Sequence, residues 1–191
     1  MAEPGDASKA ELRRLFRQRR RALQPAAQGP LQAIARRELP AQLPAGQRLG
    51  IYWPLAGEAD LRALDTEPQL RGRLALPRVH QGTLHYRPWG THTALSPDDT
   101  GINAPADGPD LEPKQLGLLL VPALACDHEG YRLGYGGGWF DRLRSTPAWR
   151  AVPALAVLPQ GCLMEQLPQD PWDVPLDGWL NERELVWLQA V

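Results

Sequence analysis

Cysteine is scarce in this chain of 191 residues: Cys126 and Cys162 are the only two, they lie far apart, and neither belongs to a C-x-x-C pair. A disulfide framework is therefore excluded and no zinc site is suggested, so both thiols are expected to stay reduced. Long hydrophobic runs are missing as well. No apolar stretch approaches the roughly 20 residues of a membrane span, and the opening M-A-E-P-G-D-A-S-K has no apolar core of the kind an export signal carries. A cytoplasmic protein without a membrane partner is the expectation. Nor does one charge dominate, since 21 Lys and Arg face 22 Asp and Glu. The field that drives non-specific nucleic-acid binding is absent, and nucleic acid is not an expected partner. Twenty prolines form no repeat or low-complexity block. What remains, 43% hydrophobic and 23% charged residues, is enough for a core and suits a single α/β domain with an N-terminal arm. With no apolar surface stripe in view, a monomer is expected.

Ser8 and Glu11 form a capping box, and Leu12, Leu15, Phe16 and Leu23 recur behind it at helical spacing. This predicts a helix from about Lys9 to Leu23, ended by Pro25. Leu31, Ile34, Ala35 and Leu39 predict a second helix stopped by Pro40, so the helical arm covers about residues 8–40. From Arg48 strands and helices alternate: R-L-G-I-Y-W-P reads as a strand, E-A-D-L-R-A-L-D as a short helix, and R-L-A-L-P-R-V as a strand. T-L-H-Y-R-P-W resembles one arm of a hairpin, and Thr91 to Pro113 a long surface loop. The continuous apolar run G-L-L-L-V-P-A-L-A-C belongs in the middle of a parallel sheet. A glycine-rich loop, a helix beginning near Trp139 and the strand A-V-P-A-L-A-V-L complete a βαβ unit. The fold class is α/β: an open, mostly parallel sheet with helices on both faces, a Rossmann-like three-layer sandwich.

The segment R-L-G-Y-G-G-G-W-F-D-R, from Arg132 to Arg142, is the most informative. Gly134, Gly136, Gly137 and Gly138 remove side chains where a strand passes into a helix, so that backbone N–H groups can turn toward an anion. Arg132, Arg142 and the helix N-terminus would add positive charge. The segment is neither a P-loop, lacking Gly-Lys-Ser/Thr, nor a dinucleotide fingerprint. A tight turn using glycine only for positive φ explains the same composition. Asp141 stands in the first turn of the following helix, where charge complementarity alone favours a carboxylate. A carboxylate beside a phosphate also suits Mg²⁺, for which Asp173 would be a second ligand. Lys9, Arg13 and Arg17 form a basic stripe at i, i+4, i+8, either a solvated face or a phosphate contact. Glu58 and Asp60 follow I-Y-W-P at the carboxyl end of a strand, where ligands of open sheets bind. Tyr52 and Trp53 could stack on a flat heterocycle or pack in the core. The histidines have no metal-like spacing.

These blocks together resemble the 5-formyltetrahydrofolate cyclo-ligase, or methenyltetrahydrofolate synthetase, family. The resemblance rests on V-P-A-L-A-C-D, R-L-G-Y-G-G-G-W-F-D-R, the K-x-x-x-R of Lys9 to Arg13 and the Y-W-P-x-x-x-E-x-D of Tyr52 to Asp60. L-P-R-V at Leu76 to Val79 and L-P-x-x-P-W-D-V-P-L near the end extend it to nearly the whole chain. It implies that 5-formyltetrahydrofolate and MgATP are converted to 5,10-methenyltetrahydrofolate, ADP and phosphate. It carries ATP binding onto Lys9, Arg13, Arg132, Leu133, Gly134, Tyr135, Gly136, Gly137, Gly138, Trp139 and Phe140. Substrate binding falls on Trp53, Glu58 and the stretch Tyr135, Gly136, Gly137, Gly138 and Trp139, and Mg²⁺ on Asp141 and Asp173. Cys126, the Trp139–Phe140 pair, Gly137 and N-A-P at Asn103 to Pro105 depart from the usual family residues, and no carried-over ligand is lost. A non-catalytic folate- or nucleotide-binding regulatory module of the same fold is the alternative that the resemblance leaves open.

Overall fold

A computed structural model describes residues 8–188. Its first element is α1 (Lys9–Gln42), opened by the capping box: the Ser8 side chain accepts from the Glu11 N–H and the Glu11 carboxylate accepts from the Ser8 N–H. One helix replaces the two that were expected, because Pro25, Pro30 and Pro40 lie inside it. Leu12, Phe16, Arg20, Gln24, Ala27, Leu31, Ile34, Ala35 and Leu39 are buried at steps of three or four, so one packed stripe runs straight through the prolines. Pro25 and Pro30 stand on the exposed side, so the carbonyls of Arg21 and Ala26, which lose their helical partners to them, are on residues open to solvent. Leu15, expected on the apolar face, is off the stripe and 53% exposed.

The strands follow as β1 (Arg48–Gly50), β2 (Leu74–His80), β3 (Thr83–Trp89), β4 (Leu95–Pro97), β5 (Asn103–Pro105), β6 (Leu116–Pro122), β7 (Ala125–Asp127) and β8 (Arg132–Leu133). Then come α2 (Trp139–Arg144), α3 (Pro147–Arg150), β9 (Ala154–Val157), β10 (Leu163–Met164), β11 (Gly178–Leu180) and β12 (Leu185–Trp187). Seven strands form one sheet in the order β12-β11-β9-β6-β1-β2-β3. The five inner ones are parallel, while β3 and β12 pair antiparallel at the edges. From β1 the chain moves to β2 on one side and later crosses to β6 on the other. The connections leaving β1 and β6 therefore diverge, which opens a crevice beyond their carboxyl ends.

Side chains alternate across the sheet and divide the core in two. On one face Leu49, Ile51, Leu74, Leu76, Leu118, Leu120, Leu155 and Val157 pack with Leu31, Ile34, Ala35 and Leu39 of α1. On the other, Ala75, Leu119, Val121, Ala154 and Ala156 pack with Tyr86 and with Leu143 of α2. The expected helices on both faces are present. Tyr86 lies so close over β1 that a Cβ at Gly50 would stand 2.8 Å from its ring and 2.7 Å from Leu119, so only glycine fits there.

The stretch from Thr91 to Pro113 is not the structureless loop the composition suggested but holds the β4–β5 hairpin. Asp98 folds its turn: one carboxylate oxygen accepts from the N–H groups of Thr100 (2.8 Å) and Ile102 (3.1 Å), and the other from Val79 of β2 (2.9 Å). Among the described residues no helix is long and apolar enough to cross a membrane.

Candidate active site

A cavity of about 290 Å³ fills the crevice between the carboxyl ends of β1, β2 and β6, where Trp53, Pro77 and Pro122 form part of its wall. The residues to which the family resemblance carried ATP, substrate and Mg²⁺ binding line it: Lys9 and Arg13 from α1, Trp53 and Glu58 after β1, Arg132 through Phe140, Asp141 in α2, and Asp173 in the loop before β11; Arg17, Asp60 and Arg142, also marked from the sequence, do not. These positions come from four separate stretches of chain, and the switch point of the sheet brings them together.

The glycine loop leaves the β7–β8 hairpin and enters α2 through Gly136 and Gly138, whose φ angles of +103° and +62° lie where L side chains are strained. The turn needs glycine at these two positions, and the bare backbone of the loop lines the cavity. α2 has only six residues, so it sums few peptide dipoles and adds less positive charge than the sequence suggested. Two further cations of the wall come from α1. Arg13 Nε donates to the carbonyl of Gly134 (3.0 Å), fixing the helix to the loop. Lys9 Nζ donates to Asp170 Oδ2 (2.6 Å) and to Asp173. Burial pulls the Lys9 ammonium down, but hydrogen bonds to Asp170 and Asp173 outweigh it and leave its pKa raised, so it stays charged.

Arg132 and Arg142 do not add free charge to the loop. Arg132 Nη2 donates to Asp141 Oδ2 at 3.2 Å, and the guanidinium lies 5.1 Å from the Phe140 ring centre. Burial lowers its pKa, against the pull of Asp141. Arg142 stacks over Trp139 at 4.4 Å and is not part of the cavity wall.

Glu58 stands at the opposite end of the chemistry. Its Oε2 accepts from the Leu55 N–H (2.8 Å), while Oε1 is buried, 3.6 Å from Arg20 Nη1, and has no hydrogen-bond partner. Burial raises its pKa despite the Leu55 N–H and the Arg20 charge. Oε1 thus has a counter-ion but no hydrogen bond, which suits it to an N–H donor from a ligand. Asp60 takes no place in the wall; it holds Arg62 through two bonds (2.9 and 2.6 Å) over the Trp53 ring, 4.3 Å from its centre. Tyr52 lines the cavity but is buried. Tyr135 also lines it; burial and the nearby Glu58 push its hydroxyl up to about 12, so it acts only as a neutral group.

Sequence reasoning missed Arg20, Asp98, Thr100, Ile102, Asp170 and Trp172, five of which line the cavity. Asp170 had a signal, standing three residues before Asp173 in Q-D-P-W-D. Arg20 had one too, one helical turn after Phe16. The cysteines are buried, and burial pushes their thiols up to about 12 (Cys126) and about 11 (Cys162), as inert core residues. Among the described residues no three His, Cys, Asp or Glu side chains are grouped to hold a metal ion by themselves. Among the described residues the wall nevertheless carries the carboxylates Glu58, Asp98, Asp141, Asp170 and Asp173 against the cations Lys9, Arg13 and Arg132.

Comparison with known proteins identifies the family. A family model described as the 5-formyltetrahydrofolate cyclo-ligase family matches residues 5–182. The 5-formyltetrahydrofolate cyclo-ligase of Escherichia coli K12 is 31% identical over 91% of this chain and 99% of its own length, and that of Mycolicibacterium smegmatis is 31% identical over 92% and 94%. The solved structure of Aquifex aeolicus 5,10-methenyltetrahydrofolate synthetase superposes with a TM-score of 0.76 at 29% identity, covering 96% of this chain and 94% of that one. With the family's own sequence pattern spread over nearly the whole chain and its fold reproduced, the chain belongs to the 5-formyltetrahydrofolate cyclo-ligase family.

Proposed function

We propose that the switch-point cavity binds ATP along Lys9, Arg13 and the loop 132–140, and 5-formyltetrahydrofolate against Trp53 and Glu58, with Mg²⁺ held by Asp141 and Asp173. The activity is that of the family, the ATP-dependent closure of 5-formyltetrahydrofolate to 5,10-methenyltetrahydrofolate with release of ADP and phosphate. The observation that supports the site is the convergence of all these residues on one cavity.

A formamide oxygen is a poor leaving group. Transfer of the γ-phosphoryl group onto it breaks the bond to ADP and forms a phosphate ester of the iminium. N10 then attacks the formyl carbon, the C–N10 bond closes the ring, N10 gives up its proton and phosphate departs. Such chemistry asks for positioning and charge neutralisation rather than a protein nucleophile. Lys9 and Arg13 supply fixed positive charge, and the side-chain-free loop lets phosphate oxygens approach the backbone. The orphan Oε1 of Glu58 accepts a hydrogen bond from the substrate, most simply from N10–H, and orients it for attack.

The donor set fits Mg²⁺. Asp141 and Asp173 are hard oxygen ligands, too few for a cage, and Mg²⁺ commonly takes one or two carboxylates with phosphate oxygens completing its shell. The excess of carboxylates in the wall would repel a bare triphosphate, and a divalent cation supplies the missing neutralisation. The test is to mix the purified chain with 5-formyltetrahydrofolate, ATP and Mg²⁺ and follow the absorbance of the methenyl product. The band should grow only with all three present, and silence at high protein concentration would favour the regulatory module.

A further inference from the structure

Arg20 reaches from α1 to the point where three segments around the cavity meet. Its Nη1 donates to the carbonyl of Ala123, just past β6, at 3.2 Å, and its Nη2 donates to the hydroxyl of Tyr135 in the glycine loop. Nη1 also stands 3.6 Å from Oε1 of Glu58, beyond β1. The two charged side chains are only 3% and 2% exposed, so the pair is cut off from water. A buried ion pair is weak evidence for stability, because apolar residues of the same volume often serve a fold as well or better. This one needs another reason to be there.

Oε2 of Glu58 already accepts from the Leu55 N–H (2.8 Å), so a proton taken up by this carboxyl would sit on Oε1, the oxygen without a hydrogen bond. That proton would turn Oε1 from an acceptor into a donor and set it against the folate N–H. Burial drives the carboxyl toward the protonated form, and a close opposite charge holds the proton off. Among the described residues Arg20 is the ion-pair partner of Glu58. The other groups around it do not replace that charge. Arg17 and Arg21 of α1 are exposed and screened by water, Tyr52 and Tyr135 are neutral, and Asp60 is matched by Arg62. Across the cavity Lys9 is paired with Asp170 and Asp173, Arg132 with Asp141, and Arg13 is turned to the Gly134 carbonyl. At 3.6 Å the Arg20 guanidinium supplies charge without a hydrogen bond, its Nη atoms being committed to Ala123 and Tyr135, so Oε1 stays free to accept. We infer that Arg20 is a positioning residue, which keeps Glu58 a carboxylate with Oε1 open to the folate N–H and ties it to the glycine loop through Tyr135. The inference rests on the reading of Glu58 as the hydrogen-bond acceptor for the folate.

Equilibrium binding of 5-formyltetrahydrofolate without ATP, followed by calorimetry across the neutral pH range, tests it. In Arg20→Gln the affinity at neutral pH should fall about tenfold and recover as pH rises, because loss of the cation lifts the Glu58 pKa by about one unit and a higher pH is then needed to ionise it. Arg20→Lys keeps a positive charge and should bring the profile most of the way back. Added to Glu58→Gln, the Arg20→Gln change should alter neither the affinity nor its pH dependence. This double variant carries neither buried charge, so together with Arg20→Lys it decides the matter even where Arg20→Gln alone fails to fold. A loss of affinity that is equal at every pH, or a further loss in the double variant beyond that of Glu58→Gln, overturns the inference and makes Arg20 a structural tie. If Glu58→Gln alone binds the folate as tightly as the intact chain, the reading of Glu58 itself fails, a result seen before Arg20 is changed.

Discussion

The two halves of α1 share one helical geometry and one buried stripe, yet they differ in what the stripe carries. From Ala27 to Leu39 every buried residue is apolar, and Leu31, Ile34, Ala35 and Leu39 pack on the leucine face of the sheet. From Lys9 to Gln24 the stripe includes Arg20 and Gln24, and Lys9 and Arg13 reach beyond it to the cavity wall. Between them Gln28 and Gln32 donate to the carbonyl of Asp60 (2.8 and 2.7 Å), tying the middle of the helix to the segment that carries Glu58. The second half anchors the helix by removing hydrocarbon from water, and the first half uses that anchor to hold charges in place. Stability and activity should therefore separate along a single helix.

The largest effect is expected in the anchoring half. Leu31 is fully buried, so Leu31→Ala should lower unfolding free energy by about 2–5 kcal/mol, read from the denaturant midpoint, with KM values unchanged below the transition. A comparable rise in the KM for ATP would show that the halves are coupled. Across the cavity, Asp141→Asn keeps a hydrogen-bond acceptor for Arg132 and removes the charge. Turnover should fall by about 10²–10³ with the midpoint nearly unchanged, and the magnesium concentration needed for half-maximal rate should rise. Full turnover in this variant would remove Asp141 from the metal site.

The same contrast explains what the sequence revealed. Apolar periodicity exposed the anchoring half, β6 and β9, and the glycine loop with its Asp141 stood out by composition. The continuity of α1 was hidden because Arg20 and Gln24 occupy core positions, so the apolar pattern breaks off where Pro25 offers a reason for it. β4, β5, β11 and β12 are three residues long, too short for alternation to register, and the hairpin depends on Asp98 reaching the backbone of β2, a contact between distant residues. The tail of the sequence gave Asp173 through a motif but not Asp170, whose partner Lys9 lies 161 residues away.

Lys9→Ala tests the charge-holding half directly. The salt bridges to Asp170 and Asp173 are partly exposed, so their loss should cost about 1 kcal/mol of stability or less. The KM for ATP should nonetheless rise by about tenfold or more, since a fixed cation disappears from a wall already rich in carboxylates. A large loss of stability with an unchanged KM would make Lys9 a structural tether.

The smallest effect concerns Glu58, whose burial raises its pKa. A carboxyl group with a raised folded pKa takes up its proton more readily in the native state than in the unfolded one. Its contribution to stability is complete below the ordinary carboxylate value, about 4, and is lost as pH rises through the raised value. Glu58→Gln has no such dependence. The variant should therefore gain on the wild type in denaturant midpoint as pH rises above about 4, while its KM for folate rises severalfold because the orphan acceptor has changed. A difference in midpoint that stays constant with pH would mean that the nearby Arg20 charge cancels the desolvation, and that this part of α1 stabilises the fold as well as the site.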